Sequence, residues 1–169
     1  MANQYNILDT PQSGGGLFVA TLRLTKVISQ TITTQIPFDD TIPQITEGDE
    51  VFSQVWTPAS AANIIQVVTG ITYRTPAANG TPTVALFQDS MANALAATNG
   101  TANVAGVTMV QDLYMNHEFV AGTVSPITLS LRIGYSVAGT GYVNGNGTIA
   151  FYGGVINTFF AIYERAPSI

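Results

Sequence analysis

From residue 17 onward, apolar and polar side chains change places at almost every second position, the period of a strand buried on one face. Over 17–25, Leu17, Val19, Thr21, Arg23 and Thr25 alternate against Phe18, Ala20, Leu22 and Leu24. Over 28–36, Ile28, Gln30, Ile32, Thr34 and Ile36 oppose Ser29, Thr31, Thr33 and Gln35, until Pro37-Phe38-Asp39-Asp40 stops the run. Residues 41–50 read as an acidic loop punctuated by Pro43 and Gly48, and 51–57 alternate again before Pro58. The apolar-rich run 63–74 predicts a long strand with Gly70 as a bulge. Further strands are predicted at 83–88, within 102–120 with a bend near Asp112, and at 126–135, 141–152 and 154–165. Only 89–97 (DSMANALAA) carries a helical option, capped by Asp89 or Ser90, and a loop fits it equally well.

About eight strands at this spacing, separated by Gly and Pro, predict an all-β fold: an antiparallel β-sandwich, jelly-roll-like. No repeat of roughly 20–50 residues divides the chain, so 17–169 is expected to be one domain. Before it, residues 1–16 end in Ser13-Gly14-Gly15-Gly16, by composition a short flexible arm that either docks elsewhere or frays.

Composition sharpens this picture. Val (15), Ile (15) and Thr (22) make up 52 of the 169 residues, and branched side chains pack well on a pleated surface while losing rotamer freedom in helices. Hydrophobic residues reach 46 % but charged ones only 9 %, against about 25 % in ordinary globular proteins. This reverses the signature of disorder. It also leaves little charge to keep a lone chain dissolved, which points to burial in an assembly. The net charge is −5, and the five basic residues, Arg23, Lys26, Arg74, Arg132 and Arg165, stand singly. Without a basic stripe or cluster, neither nucleic acid nor an anionic membrane is an expected partner. There is no cysteine, so disulfides and thiolate metal sites are excluded. The N-terminus lacks the basic-then-apolar order of a secretory signal, and no apolar run approaches about 20 residues. The expectation is a soluble chain made in a cytoplasm.

The search for chemistry returns little. Nucleophilic catalysis needs a nucleophile, a base and an orienting group, and the single histidine, His117, sits between Asn116 and Glu118, with Asp112 five residues before. Neighbours on a strand point to opposite faces, so His117 and Glu118 are poor partners, and the plainer reading is a surface or interface histidine. Five carboxylates gather at Asp39, Asp40, Glu47, Asp49 and Glu50, without the spacing of an EF-hand. A solvated loop explains them, and a Ca²⁺ ion, if one bound, would be sought there first. The stretch Asn144-Gly145-Asn146-Gly147 has no Lys or strand-to-helix setting for phosphate and reads as a hairpin turn. Phe151, Tyr152, Phe159, Phe160 and Tyr163 crowd the C-terminal quarter and are expected in the core, except that Phe159 and Phe160 face opposite sides, which leaves one for a subunit contact. No catalytic, cofactor or metal residue is assigned, and an enzyme is not expected.

The segment QIPFDDTIPQITEGDEVFSQVWT (35–57), followed by Thr57-Pro58-Ala59-Ser60-Ala61, resembles a stretch of tailed-bacteriophage virion proteins with compact jelly-roll domains. Val84-Ala85-Leu86-Phe87-Gln88-Asp89, with Ala92-Asn93-Ala94-Leu95 after it, and the closing Gly153-Gly154-Val155 are similar too. The resemblance covers roughly 30–165. It implies a β-sandwich, usually trimeric, displayed on the virion surface as a head decoration (cement) protein or a tail-fibre tip, and it brings no catalytic residues. A short hinged arm, rather than a shaft, favours the decoration role: a homotrimer bound to the major capsid protein. The alternative is a tip that binds a host receptor or glycan.

Overall fold

The computed structural model describes residues 4–5 and 18–167. Along the chain run β1 (Gln4–Tyr5), β2 (Phe18–Lys26), β3 (Gln30–Ile32), β4 (Asp49–Trp56), β5 (Ile64–Arg74), β6 (Pro82–Gln88), β7 (Ala96–Asn99), β8 (Val110–Val120), β9 (Ile127–Tyr135), β10 (Gly141–Val143) and β11 (Thr158–Arg165). One 3-10 turn lies at Phe151–Gly154. The larger sheet runs β1-β2-β11-β5-β10-β3, with β8 also paired to β5, and the smaller runs β4-β9-β6-β7. Setting aside the short β1, β3 and β10, eight strands remain. Their pairs are first with eighth (β2·β11), second with seventh (β4·β9), third with sixth (β5·β8) and fourth with fifth (β6·β7), all antiparallel. That is one long hairpin rolled over on itself, a jelly roll, closed by β11 beside β5 and β9 beside β6.

The alternation read from the sequence becomes the core. Ile127, Leu129, Leu131, Ile133 and Tyr135 of β9 face Ile65, Val67, Ile71 and Tyr73 of β5 and Phe160 and Ile162 of β11 in one buried cluster. The Phe160 ring stacks on Phe52 of the other sheet at 5.8 Å. Each such side chain contributes about 1.5–3 kcal/mol on burial. A second, smaller core lies outside the smaller sheet. Segment 33–48 crosses that face, with the Ile36 N–H donating to the Tyr135 carbonyl and the Gly48 N–H to the Gln35 carbonyl. Ile36 then buries Ala85 and Phe87, with Ile45 and Ala94 packed around them.

Several boundaries differ from the expected ones, each for a local reason. Of 28–36 only Gln30–Ile32 is strand, because the chain leaves the ladder to carry Ile36 over the smaller sheet. The strand within 102–120 starts at Val110, and its pairing with β5 runs unbroken past Asp112. Gly70 is no bulge, since the ladders to β8 and β11 both continue through it. A Cβ there would lie 2.6 Å from the Phe159 ring and 2.9 Å from that of Tyr114, so the glycine makes room for aromatic rings. The helical option at 89–97 fails: Asp89 turns the chain at φ 52 and Ala96–Asn99 pairs with β6. Backbone pairing there outweighs the helix preference of alanine. The predicted strand 141–152 ends at Val143, because Asn144 adopts φ 57. The expected turn follows, closed by Asn146 N–H to the Ile149 carbonyl. Phe151 and Tyr152 therefore lie in the 3-10 turn instead of a core strand, and the last strand starts at Thr158. The arm assigned to 1–16 falls outside the described residues, save that the backbones of Gln4 and Tyr5 pair with Leu24 and Arg23.

Candidate functional site

The acidic segment is occupied with its own folding. Asp39 Oδ1 accepts from the Thr41 N–H at 2.8 Å and its hydroxyl at 2.6 Å, and these bonds hold the carboxyl below the usual range. Glu47 accepts from the Gln44 N–H at 2.8 Å. Asp49 takes the Thr34 N–H at 2.9 Å and the Thr34 hydroxyl at 2.7 Å, together with the Thr33 N–H. Partial burial would raise its pKa, but those bonds and the nearby Arg132 outweigh it and lower the value. The Arg132 guanidinium in turn donates to the Glu47 and Gly48 carbonyls, each at 2.8 Å. Asp39 and Glu47 close turns within the loop and Asp49 ties Thr33 and Thr34 to the start of β4, and no group of three potential metal ligands occurs among the described residues.

The expected separation on β8 holds. His117 lies on the inward side, stacked on Phe119 at 6.0 Å, whereas Glu118 faces outward and pairs with Arg165 at 2.8 Å. Asp112 accepts from the Thr72 hydroxyl at 2.6 Å. The three groups sequence reasoning weighed for catalysis are thus spread over separate contacts.

What the domain offers instead is surface. On the outer face of the larger sheet the Arg23 guanidinium lies 4.3 Å over the Phe159 ring, Phe18 meets Tyr163 at 5.1 Å, and Tyr114 on β8 is 66 % exposed. At the end of the sandwich, Ile28, Ile149, Tyr152 and Val155 are all exposed, and Tyr152 holds a left-handed φ of 48. Backbone strain of this kind gathers at contact sites. A third feature is a groove of about 150 Å³ where the covering segment meets β6 and β7. Pro37, Phe38, Asp39 and Pro43 line one side of it, with Thr83 and Asn99 on the other. The sequence marked Pro37, Phe38 and Asp39 as the end of a strand and Asp39 as part of an acidic loop, and did not place them beside Thr83 and Asn99.

Two sheets joined as a rolled hairpin define a jelly-roll domain, with exposed aromatic side chains among the described residues. No protein-family model matches the chain, and no curated protein matches it. Among solved structures it is similar to VP2 in the subviral particle of infectious bursal disease virus, at 13 % identity over 88 % of this chain and 37 % of that one, with a TM-score of 0.37. It is also similar to the T=1 particles derived from infectious bursal virus, at 15 % identity over 99 % and 41 %, with a TM-score of 0.39. The chain spans less than half the length of these proteins. At such identities and TM-scores the likeness carries no functional argument, and the fold stands on its own strand pairing.

Proposed function

We propose that this is a structural protein of a bacteriophage virion: a homotrimeric decoration (cement) protein, made in the host cytoplasm, that binds the major capsid protein on the outer head surface and stabilises the shell. The observation that carries this reading is the surface. It pairs 9 % charged residues with large apolar side chains left exposed on one sheet face and at one end, among them Phe18, Tyr114, Tyr152 and Val155. Apolar area of this kind, on a chain with little charge, is built to be covered by protein. The segment resembling phage virion proteins supports it, since much of it forms the layer over the smaller sheet. Phe159, half-buried under Arg23 while Phe160 fills the core, supplies the subunit contact. The arm, residues 1–16, is assigned to clip onto the shell. No catalytic role, cofactor, nucleic acid or membrane enters this reading.

The second reading, a tail-fibre tip that binds a host receptor or glycan, is favoured by one observation, the groove at Phe38. Two measurements separate them. Light scattering at micromolar concentration should give three times the 17.8 kDa chain mass, and a monomer would overturn the trimer. Particles lacking the protein should still adsorb to cells but release DNA at lower temperature, because the binding energy of many copies adds to shell stability. Unchanged heat stability with adsorption abolished would establish the tip instead.

A further inference from the structure

The groove between the covering segment and β7 is a preformed cleft with unspent hydrogen-bonding groups. Its walls are fixed: the Ile45 N–H donates to the Ala92 carbonyl at 2.8 Å and the Ala94 N–H to the Pro43 carbonyl at 2.9 Å. The Asp39–Thr41 turn sets the rim. Three features are unexplained by folding alone. Phe38, beside Pro37 and across from Pro43, leaves 65 % of its surface exposed. The Asp39 carboxylate receives both Thr41 bonds on Oδ1, so Oδ2 has no partner among the described residues. Thr83 is only 6 % exposed, yet its hydroxyl has no hydrogen-bond partner among the described residues. Buried polar atoms are almost always satisfied, and an orphan on the wall of a cleft marks a place where a ligand or water completes the set. Opposite Asp39, the Asn99 amide is engaged only by a 3.3 Å bond to the Gly100 carbonyl, which leaves its own carbonyl free.

An apolar ring and prolines beside a carboxylate, an amide and a hydroxyl match the two sides of a pyranose. The C–H face of such a sugar packs on an aromatic ring, while adjacent hydroxyls donate to a carboxylate and to an amide carbonyl. The volume, about 150 Å³, suits one ring and not a chain. The lining holds an acid and no base, which disfavours uronic and sialic acids. We infer that this groove binds a single neutral pyranose, the terminal unit of a glycan, with Phe38 as the platform and Asp39 as the acceptor for two of its hydroxyls. The inference does not rest on the head or tail position of the domain, because the groove belongs to the chain itself.

The test is two-dimensional NMR of the full chain with methyl α-glucoside, methyl α-galactoside, methyl α-mannoside and N-acetylglucosamine, each titrated separately, and sorbitol as the acyclic control. One pyranoside is expected to bind with a Kd near 1 mM, the order expected for a ligand of about a dozen heavy atoms, and to shift residues 37–43 and 97–99. Phe38→Ala and Asp39→Asn should each weaken that binding about tenfold or more. Phe38 is exposed, so its removal leaves the melting temperature near that of the wild type and keeps the result readable. The inference is overturned if no pyranoside shifts these residues at tens of millimolar, if sorbitol shifts them equally, or if Phe38→Ala binds as well as the wild type. A Phe38→Ala change that alters the oligomeric mass and no sugar binding would assign the groove to a subunit contact.

Discussion

Changing Glu164 tests how the two sheets are tied at one end of the sandwich. This side chain, on β11, is 1 % exposed. Its Oε1 accepts from the Ala59 N–H at 2.8 Å and from Asn63 Nδ2 at 2.7 Å, and its Oε2 accepts from Trp56 Nε1 at 3.2 Å. No cation pairs with it among the described residues. Three N–H donors, drawn from β4 and the β4–β5 connection, therefore depend on one acceptor from the opposite sheet. Glu164→Gln keeps the volume but replaces one oxygen with a donor, so at least one N–H is stranded and the rest lose a charged acceptor. Stranding a buried group costs about 1–3 kcal/mol, and the loss expected is about 2–3 kcal/mol. Glu164→Ala strands all three and opens a cavity, at about 3–5 kcal/mol. For a domain of this size each kcal/mol moves Tm by about 2–4 °C, so Glu164→Gln should melt roughly 4–12 °C lower. Urea unfolding followed by far-UV circular dichroism should show a lower midpoint with an unchanged slope. Trp56→Phe, which removes one donor, should cost less in the Gln background than alone. A Glu164→Gln protein within about 0.5 kcal/mol of the wild type, or additive losses in the pair, would refute the account.

Three further outcomes are expected. A Cβ on Gly141 would meet the buried Tyr73 hydroxyl at 1.9 Å, so Gly141→Ala should cost about 3 kcal/mol or more. Tyr73→Phe, which removes a hydroxyl without a partner, should be neutral or stabilising and recover part of that loss in the double variant by calorimetry. The lowered Asp49 carboxyl stabilises the fold fully above its unfolded value near 3.9 and loses this as pH falls through the lower folded value. Asp49→Asn should therefore be less stable at pH 7 and show a flatter stability profile in acid, read by urea titration across that range. His117→Ala should cost about 1 kcal/mol in packing and leave the proposed capsid binding intact, and a hydrolase activity abolished by this change would overturn the proposed non-enzymatic role.

The sandwich was legible because its long strands carry a clean two-residue period: 126–135 in the sequence is Ile127–Tyr135 in the fold, with every inward apolar residue buried. Legibility fails where a residue's role is decided by distant partners. Ile36 continues the alternation of 28–36 but is spent on the far side of the smaller sheet. Asn144 carries a turn signal, yet it is fully buried, donates to the Lys26 carbonyl and accepts from the Thr158 hydroxyl. The alanines of 89–97 allow a helix, but Ala96 and Ala97 enter a strand because Ala96–Asn99 pairs with β6. The groove was illegible for the same reason: Phe38 and Asp39 lie 44 or more positions before Thr83 and Asn99, and only the crossing segment brings them together. The acidic cluster invited a metal reading, but Asp39, Glu47 and Asp49 each accept from a backbone N–H within a few residues or across the loop, which the sequence could not count.

The covered and uncovered faces of the sandwich are unequal, and this asymmetry constrains how the domain can assemble. The smaller sheet has already spent its outer face on residues 33–48, which seal Phe87 and Ala85 with a second small core. A protein docking there would meet the covering segment and the groove, with Ser53 and Val55 of β4 exposed beside them. Among the described residues, no such layer covers the larger sheet. Its outer face presents Arg23 over Phe159, Tyr163 against Phe18 and the exposed Tyr114 on β8, large planar groups of the kind that dominate protein interfaces. Self-association through the larger sheet would bury those rings and leave the groove facing away from the contact. Both proposed activities then fit on one chain without competing for surface, one on each side of the sandwich. An acidic segment with Pro37 and Pro43 leaves the β3 ladder and crosses the smaller sheet, so among the described residues the outer face of the larger sheet is the one without a covering segment.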